Sequence, residues 1–363
     1  MELARSRVGE FLPLEADGYA CTSEQLIDVL VAVSAQKDTI EQVCSDLNIE
    51  VGAETIRGYF NQHLKVENLA ELEQAVNSAL QASLSCEMKG QSLEVAIDFH
   101  DQSYYGKMEQ AEGLWVGAEA KNGTTKVYRV ATAYVIRNGY RLSLGIKFVV
   151  PNETVKETVE YLLKQLKGLE IEIKCLYLDR GFGTIEVARY LKQIKQRAIV
   201  ACPIRGTKGG LKALCVGRKS YRTKHTFKSQ KHGTEEVEMA MFKGFTKTTK
   251  KGKKIRKAKW LAYMLIECDE NLSARKVKQK YRRRFGVETS YRCAKKRGWT
   301  TSKNATYRFT LIGMSFVLTN LWQELQEKWT RKKQLGRRVW KLENFRLKRF
   351  VNFLRKAMEN LYG

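Results

Sequence analysis

Three carboxylates in this sequence stand where a metal-dependent reaction would need them. Asp98 follows the apolar-alternating run SLEVAI, Asp179 follows IEIKCLYL, and Glu288 lies in the segment YRRRFGVETSYRCAK. Carboxylates gathered at one point repel one another and stay ionised together only with cations between them. Hard, oxygen-seeking ions such as Mg2+ or Mn2+ suit such a donor set. Two of them about 3.5–4 Å apart stabilise both the attacking and the leaving oxygen of an in-line displacement at phosphorus. Asp101 and Asp269 are alternative members of the set.

The third carboxylate has neighbours of its own. Tyr281, Arg284, Glu288 and Lys295 are spaced at offsets 0, +3, +7 and +14. At 100° per residue they fall within an arc of about 60° on one helix face. A carboxylate flanked by cations and a phenol can hold a metal and grip the phosphates beside it. Arg292 lies just beyond the edge of that arc. Gly286 interrupts the stretch and marks a place for the helix to break, since a mid-helix glycine costs about 1 kcal/mol.

These residues need a scaffold, and the hydrophobic periodicity supplies one. SLEVAIDF reads as a strand ending at Asp98. TKVYRVATAYVIR and YRLSLGIKFVV are two more, joined by the hairpin signal Asn138-Gly139. A helix over 152–168 is capped by Asn152 and stopped by Gly168. IEIKCLYLD is a central strand ending at Asp179; the helix TIEVARYLKQIK and the strand RAIVACPI follow. Residues 205–259 then interrupt the order with 18 basic and 3 acidic residues and a few strand-like stretches. WLAYMLIEC is an apolar strand, and Ser273 opens a helix continuing to about Lys296. A long apolar-patterned helix covers 306–329, and a basic amphipathic tail carries Val339, Leu342, Phe345, Phe350, Phe353 and Leu354. Trp260 and Trp299 flank the segment bearing Glu288 and read as packing residues before base-stacking ones.

Ahead of the sheet, SEQLIDVLVAVSAQ, TIEQVCSDL and ETIRGYFNQHL read as three helices, the first capped by Ser23. The last two resemble a helix-turn-helix that would show Arg57, Asn61 and Gln62 to base edges in a major groove. They read equally as an ordinary three-helix bundle. The chain therefore divides into an N-terminal helical domain (1–88), a core domain (89–330) interrupted by a basic insertion (205–259), and a C-terminal tail (331–363).

Charge separates these parts. The whole chain carries 65 Lys+Arg against 39 Asp+Glu, a formal +26. Residues 1–85 hold 5 basic and 14 acidic residues, net −9, so the remainder carries +35. A surplus of that size attracts polyanions. Eight cysteines form no CxxC pair and, with four histidines, no zinc spacing; they read as buried reduced thiols of a cytosolic protein. No signal peptide and no stretch long enough to span a membrane is expected.

The element order (three antiparallel strands, helix, strand, helix, strand, insertion, helix) resembles that of an RNase H-like domain. In that topology the first and fourth strands are central neighbours, so Asp98 and Asp179 meet although 81 residues separate them. The helix after the insertion then adds Glu288. The fold class expected is α/β, an RNase H-like mixed-sheet core with a basic, β-rich insertion and an N-terminal helical domain.

The segment YRRRFGVETSYRCAK matches the pattern Tyr-x2-Arg-x3-Glu-x6-Lys without a departure. That pattern is the signature of a large group of insertion-sequence transposases with a DDE catalytic triad, and AIDFHD and YLDRGF resemble the group's two aspartate motifs. The resemblance covers roughly 90–300. It implies Mg2+-dependent strand cleavage and transfer at transposon ends, with Asp98, Asp179 and Glu288 as metal ligands and Tyr281, Arg284 and Lys295 contacting DNA near the scissile phosphate. It also implies DNA as partner, both ends and target, and a cytoplasmic, nucleoid-associated location. Because two ends must be joined, the amphipathic tail is expected either to form a homodimer on DNA or to lie along the DNA itself. The rival readings are a domesticated, non-catalytic DNA-binding protein and an RNase H-like nuclease without strand transfer.

Overall fold

The computed structural model describes the chain apart from residues 17–18, 37, 112, 122, 138–139, 206–207, 251–252, 286–299, 335–336, 341–344 and 363. Five helices come first: α1 (Glu2–Gly9), α2 (Ser23–Gln36), α3 (Ile40–Asp46), α4 (Ala53–His63) and α5 (Leu69–Gln81). Strands β1 (Ser92–Ser103), β2 (Val116–Lys121), β3 (Thr124–Arg137) and β4 (Tyr140–Val149) follow. Next are α6 (Val155–Lys167), β5 (Glu172–Leu178), α7 (Ile185–Gln193), β6 (Ala198–Cys202) and the short α8 (Gly210–Ala213). The chain continues through β7 (Tyr221–Ser229), β8 (Gly233–Lys250), β9 (Lys253–Ile266) and α9 (Ala274–Tyr281). Helix α10 (Ala305–Thr330), the hairpin β10 (Arg331–Gln334) and β11 (Arg337–Trp340), and α11 (Leu347–Tyr362) complete it. These elements form two compact units: one of Met1–Lys89, His100–Asn152 and Val287–Gly363, the other of Gly90–Phe99 and Glu153–Gly286.

The second unit carries the aspartates. Its sheet runs in the order β1-β5-β6-β9-β8-β7. β1, β5 and β6 are parallel, and β9, β8 and β7 add on antiparallel. The central strands are almost wholly apolar, as parallel strands covered on both faces must be: Val95, Ala96, Ile97, Leu176, Tyr177, Leu178 and Ala198 to Val200 are all fully buried. Helices α6 and α7 bury one apolar face each, Val159, Leu162, Leu163 and Leu166 on the first and Val187, Ala188 and Leu191 on the second. The cap of α6 is Thr154, in a reciprocal capping box with Glu157, rather than Asn152; Asn152 adopts the left-handed conformation at φ 68° and turns the chain before the helix. The basic insertion is the β-rich element expected, its strands β7 and β8 and the extended first part of β9 forming one antiparallel meander.

In the first unit β2, β3 and β4 form an antiparallel sheet, β2 being a strand the sequence pattern had not marked. Among the described residues one side of β4 meets no further strand there and is closed by side chains instead. Asn77 on α5 accepts from the Ile146 N–H (2.7 Å) and donates to its carbonyl (2.9 Å). Asn320 on α10 does the same with Ser143 (3.1 and 2.7 Å), and Gln323 with Arg141 (3.1 and 2.9 Å). A carboxamide offers the donor and acceptor of a peptide group, so each of these side chains substitutes for one residue of a neighbouring strand. Helix α10 is buried without interruption from Ala305 to Leu321. Its hydroxyls, at Thr310, Ser315 and Thr319, satisfy themselves on carbonyls of the preceding turn. Gly313 lets α5 approach: a Cβ there would stand 2.5 Å from Val76 Cγ1.

Residues 1–88, read from the sequence as a domain of their own, thus belong to a unit that also holds β2 to β4, α10 and α11. The cap of α2 is Thr22 with Gln25, one residue earlier than Ser23. The tail is a hairpin and a helix, and α11 packs on its own unit. Phe350, Leu354 and Met358 are buried, and the Tyr362 hydroxyl donates to Asp28 (2.7 Å), the fully buried acid that Arg5 also holds (2.7 Å). Of the apolar face expected to dimerise or to lie along DNA, Phe350 and Leu354 on α11 are covered within the chain and Phe353 is exposed; Leu342 lies outside the described residues. Among the described residues no helix is long and apolar enough to cross a membrane.

Candidate active site

The register of two parallel strands brings the aspartates together. In the β1–β5 ladder Ile97 pairs with Leu178, and the next residue on each strand is an aspartate, Asp98 and Asp179. Parallel pairing carries both chains forward in the same direction, so their carboxylates emerge at the same end of the sheet. The residues beyond them lock the arrangement. Phe99 stacks on Phe182 with ring centroids 4.2 Å apart. Gly181 permits that stack, since a Cβ there would come within 3.3 Å of the Phe99 ring.

Arg284 joins the two aspartates. Its Nη1 lies 2.9 Å from Asp98 Oδ2 and its Nη2 3.1 Å from Asp179 Oδ1. The guanidinium side chain is 5% exposed, Asp98 13% and Asp179 40%. Burial pushes Asp98 up to about 6; Asp179 pushes the same way, while the charge of Arg284 and the Phe99 N–H pull it down. Desolvation therefore outweighs a direct ion pair, as expected when two carboxylates share one monovalent cation.

Tyr281 forms the wall behind Asp179. It is 3% exposed, its hydroxyl lies 3.2 Å from the Leu178 carbonyl and 3.4 Å from Asp179 Oδ1, and burial raises its pKa. Its ring meets Tyr177 and Tyr263, while the Arg284 guanidinium lies 5.2 Å from the ring centre. Tyr281 and Arg284 do share a face, and Tyr281, buried, supports Asp179 from inside the protein. The helix itself differs from the one expected. It is α-helical only to Tyr281 and tightens into a 3-10 turn over Arg282–Phe285. Glu288, Arg292, Lys295 and Trp299 lie outside the described residues.

One pair escaped the sequence reading. Glu94 lies on the same face of β1 as Asp98, since residues an even number apart share a face. It accepts from Arg283 Nη1 (3.0 Å) and from the Tyr177 hydroxyl (2.9 Å). Two consecutive arginines, 283 and 284, thus tie the turn after α9 to two carboxylates of β1. The alternation Glu94-x-Ala96-x-Asp98 was the available signal, but nothing in the sequence says which of three neighbouring arginines would answer it.

The other candidates fall elsewhere. Asp101 accepts from Arg129 at 2.7 and 2.9 Å within the first unit, and Asp269 accepts from the Asn271 N–H in a turn. Trp260 packs edge-on to Tyr221 beneath Lys243. Arg57 is held by Glu41 and Glu54. Together with the exposed Asn61 it lines a cavity of about 510 Å³ closed by residues 300–304 and Tyr307, all within the first unit.

The donor chemistry suits a divalent ion: two carboxylates from adjacent strands turn oxygens toward one cationic group. Among the described residues no cluster of three metal-ligating side chains forms, and the third carboxylate of the sequence pattern, Glu288, lies outside them.

A mixed α/β core whose neighbouring parallel strands set two aspartates side by side, just past the last paired residues, is the architecture of an RNase H-like transposase. The comparison with known proteins agrees. Residues 91–317 match the family model described as "Transposase DDE domain". The chain belongs to that family, and it is a DDE transposase, a phosphoryl-transfer enzyme acting on DNA. Its fold is similar to a cryo-EM structure of the piggyBac transposase synaptic complex with hairpin DNA. That likeness has a TM-score of 0.56 and 12% sequence identity, covering 99% of this chain and 77% of that one; it is a likeness of fold. No curated protein sequence matches the chain.

Proposed function

We propose that the enzyme cleaves DNA at the ends of an insertion sequence and joins those ends to target DNA, with Asp98, Asp179 and Glu288 as ligands of Mg2+ or Mn2+. The observation that carries this reading is the Ile97–Leu178 pairing, which precedes two aspartates facing one guanidinium. When bound, divalent ions supply Lewis-acid stabilisation of the attacking and leaving oxygens at phosphorus.

The chain's own groups do the rest. Asp98 and Asp179 hold their oxygens in place through the β1–β5 ladder and the Phe99–Phe182 stack. Tyr281 fixes the orientation of Asp179. Arg284 presents a two-pronged donor able to take a phosphate as readily as a carboxylate. The insertion, at net +15 over 205–259, holds the DNA backbone in a sequence-independent and salt-sensitive way. Lys295 and Arg292 are proposed to add phosphate contacts beside Glu288. Because transposition joins two ends, and the piggyBac structure is a synaptic complex, two copies of the chain are proposed to act together on DNA.

The test is a pair of assays on a duplex carrying the element's terminal sequence, run in Mg2+. Asp98→Asn and Asp179→Asn should reduce cleavage to background while duplex binding persists. A pre-cut end with a free 3′-OH should join to target DNA in the wild type. Normal cleavage by either variant rejects the site, and cleavage without joining reduces the enzyme to a nuclease.

A further inference from the structure

We propose that Arg284 occupies the seat of the metal as an internal cation, competing with the divalent ion for the same carboxylate oxygens until a DNA phosphate draws it away. The proposal rests on the reading of Asp98 and Asp179 as metal ligands.

The geometry sets the two cations in competition. Arg284 Nη1 takes Asp98 Oδ2 at 2.9 Å and Nη2 takes Asp179 Oδ1 at 3.1 Å. A divalent ion held by those two oxygens would contend for them with the guanidinium nitrogens, and the Arg284 side chain would have to shift before the ion could take both.

The charges give the competition its strength. Two carboxylates and one guanidinium leave an excess of one negative charge, so the pair still attracts a divalent ion, but less than it would alone. With the guanidinium side chain 5% exposed and Asp98 13% exposed, water screens that balance poorly.

The surroundings show which part moves. The turn bearing Arg284 is tethered by its neighbour, with Arg283 on Glu94 at 3.0 Å and Glu94 on Tyr177 at 2.9 Å. Tyr281 is fixed beneath it by the Leu178 carbonyl. The backbone is therefore held at two points, so release of the carboxylates would come from rotation of the long Arg284 side chain. Its planar fork is suited to a phosphate, and DNA bound for cleavage would bring phosphates to these carboxylates. Metal loading and DNA binding are then coupled with the same factor in each direction.

The experiment measures metal binding alone. Mn2+ is titrated into the full-length protein and the free ion is read by electron paramagnetic resonance, with and without a saturating short duplex. Without DNA, Arg284→Gln should bind Mn2+ about 10-fold more tightly than wild type, a factor ordinary for coupled sites. Arg284→Lys, which keeps the charge but loses the fork, should fall between. The duplex should tighten binding by the wild type and leave Arg284→Gln unchanged. A merely structural arginine would give the opposite sign, weaker binding on removal, and equal or weaker binding by Arg284→Gln overturns the proposal. Should Arg284→Gln lose its cooperative melting, Arg284→Lys is read by the same criterion. A duplex that leaves the wild-type constant unchanged removes phosphate as the releasing agent. If Asp98→Asn and Asp179→Asn bind Mn2+ as the wild type does, the metal-site reading fails first and independently.

Discussion

The Tyr281 hydroxyl lies within hydrogen-bonding distance of both the Leu178 carbonyl and the Asp179 carboxylate, at 3.2 and 3.4 Å. One phenol thus spans the last residue of β5 and the acid that follows it, from a helix more than a hundred positions downstream. Tyr281→Phe keeps the ring contacts and deletes only that hydroxyl. It should cost about 1 kcal/mol of stability, the net worth of a hydrogen bond, and lower the rate of cleavage more than the affinity for DNA. Urea unfolding and single-turnover cleavage read the two effects separately; an unchanged rate would deny Tyr281 a part in orienting Asp179.

Asp98 should make the metal-free protein more stable in mild acid. Burial raises its pKa from 3.8 to about 6, so the folded chain binds this proton more tightly than the unfolded one. The ionised carboxylate therefore costs stability in full above about pH 6, and the cost shrinks as pH falls from about 6 toward 3.8. Between pH of about 7 and about 5 the gain should be about 1 kcal/mol. Subtracting the same urea series for Asp98→Asn isolates it, and parallel curves for the two proteins would contradict the shift.

Gly313→Ala should weaken the junction of α5 and α10. The added Cβ would stand 2.5 Å from Val76, and overpacking of a buried contact costs about 1–3 kcal/mol. Val76→Ala makes room, so the double variant should recover part of the loss. Additive losses would place the cause outside this contact.

Asn320→Leu should be worse than a change of similar size elsewhere on α10. Asn320 satisfies the Ser143 N–H and carbonyl and the Leu80 carbonyl. Leucine removes the partner of the Ser143 N–H and carbonyl, at about 1–3 kcal/mol for each unsatisfied group, while the Leu80 carbonyl keeps the Ser83 N–H. A melting temperature within a degree or so of wild type would mean that β4 does not depend on side-chain pairing.

The local chemistry of the sequence determined a good deal of this protein. Strand alternation marked β1, β3, β4, β5 and β6, and cap chemistry marked Ser273 as the start of α9. Asp179 just past the end of β5 and the spacing of Tyr281 and Arg284 were also legible, because period and spacing survive in one dimension; β1, read as ending at Asp98, runs on to Ser103. Where short-range alternatives competed, the sequence misjudged by a residue or two: Thr22 and Thr154 capped their helices because a glutamine or glutamate three residues on completed a box. Tertiary structure alone decided the rest. The partner of β1 is a strand some eighty residues away, and only their register sets Asp98 beside Asp179. Which arginine reaches them, which reaches Glu94 instead, and whether α11 covers its own unit or faces solvent depend on contacts between distant segments. Hydrophobic periodicity fixes which face of an element is buried; it carries no information about what that face will meet.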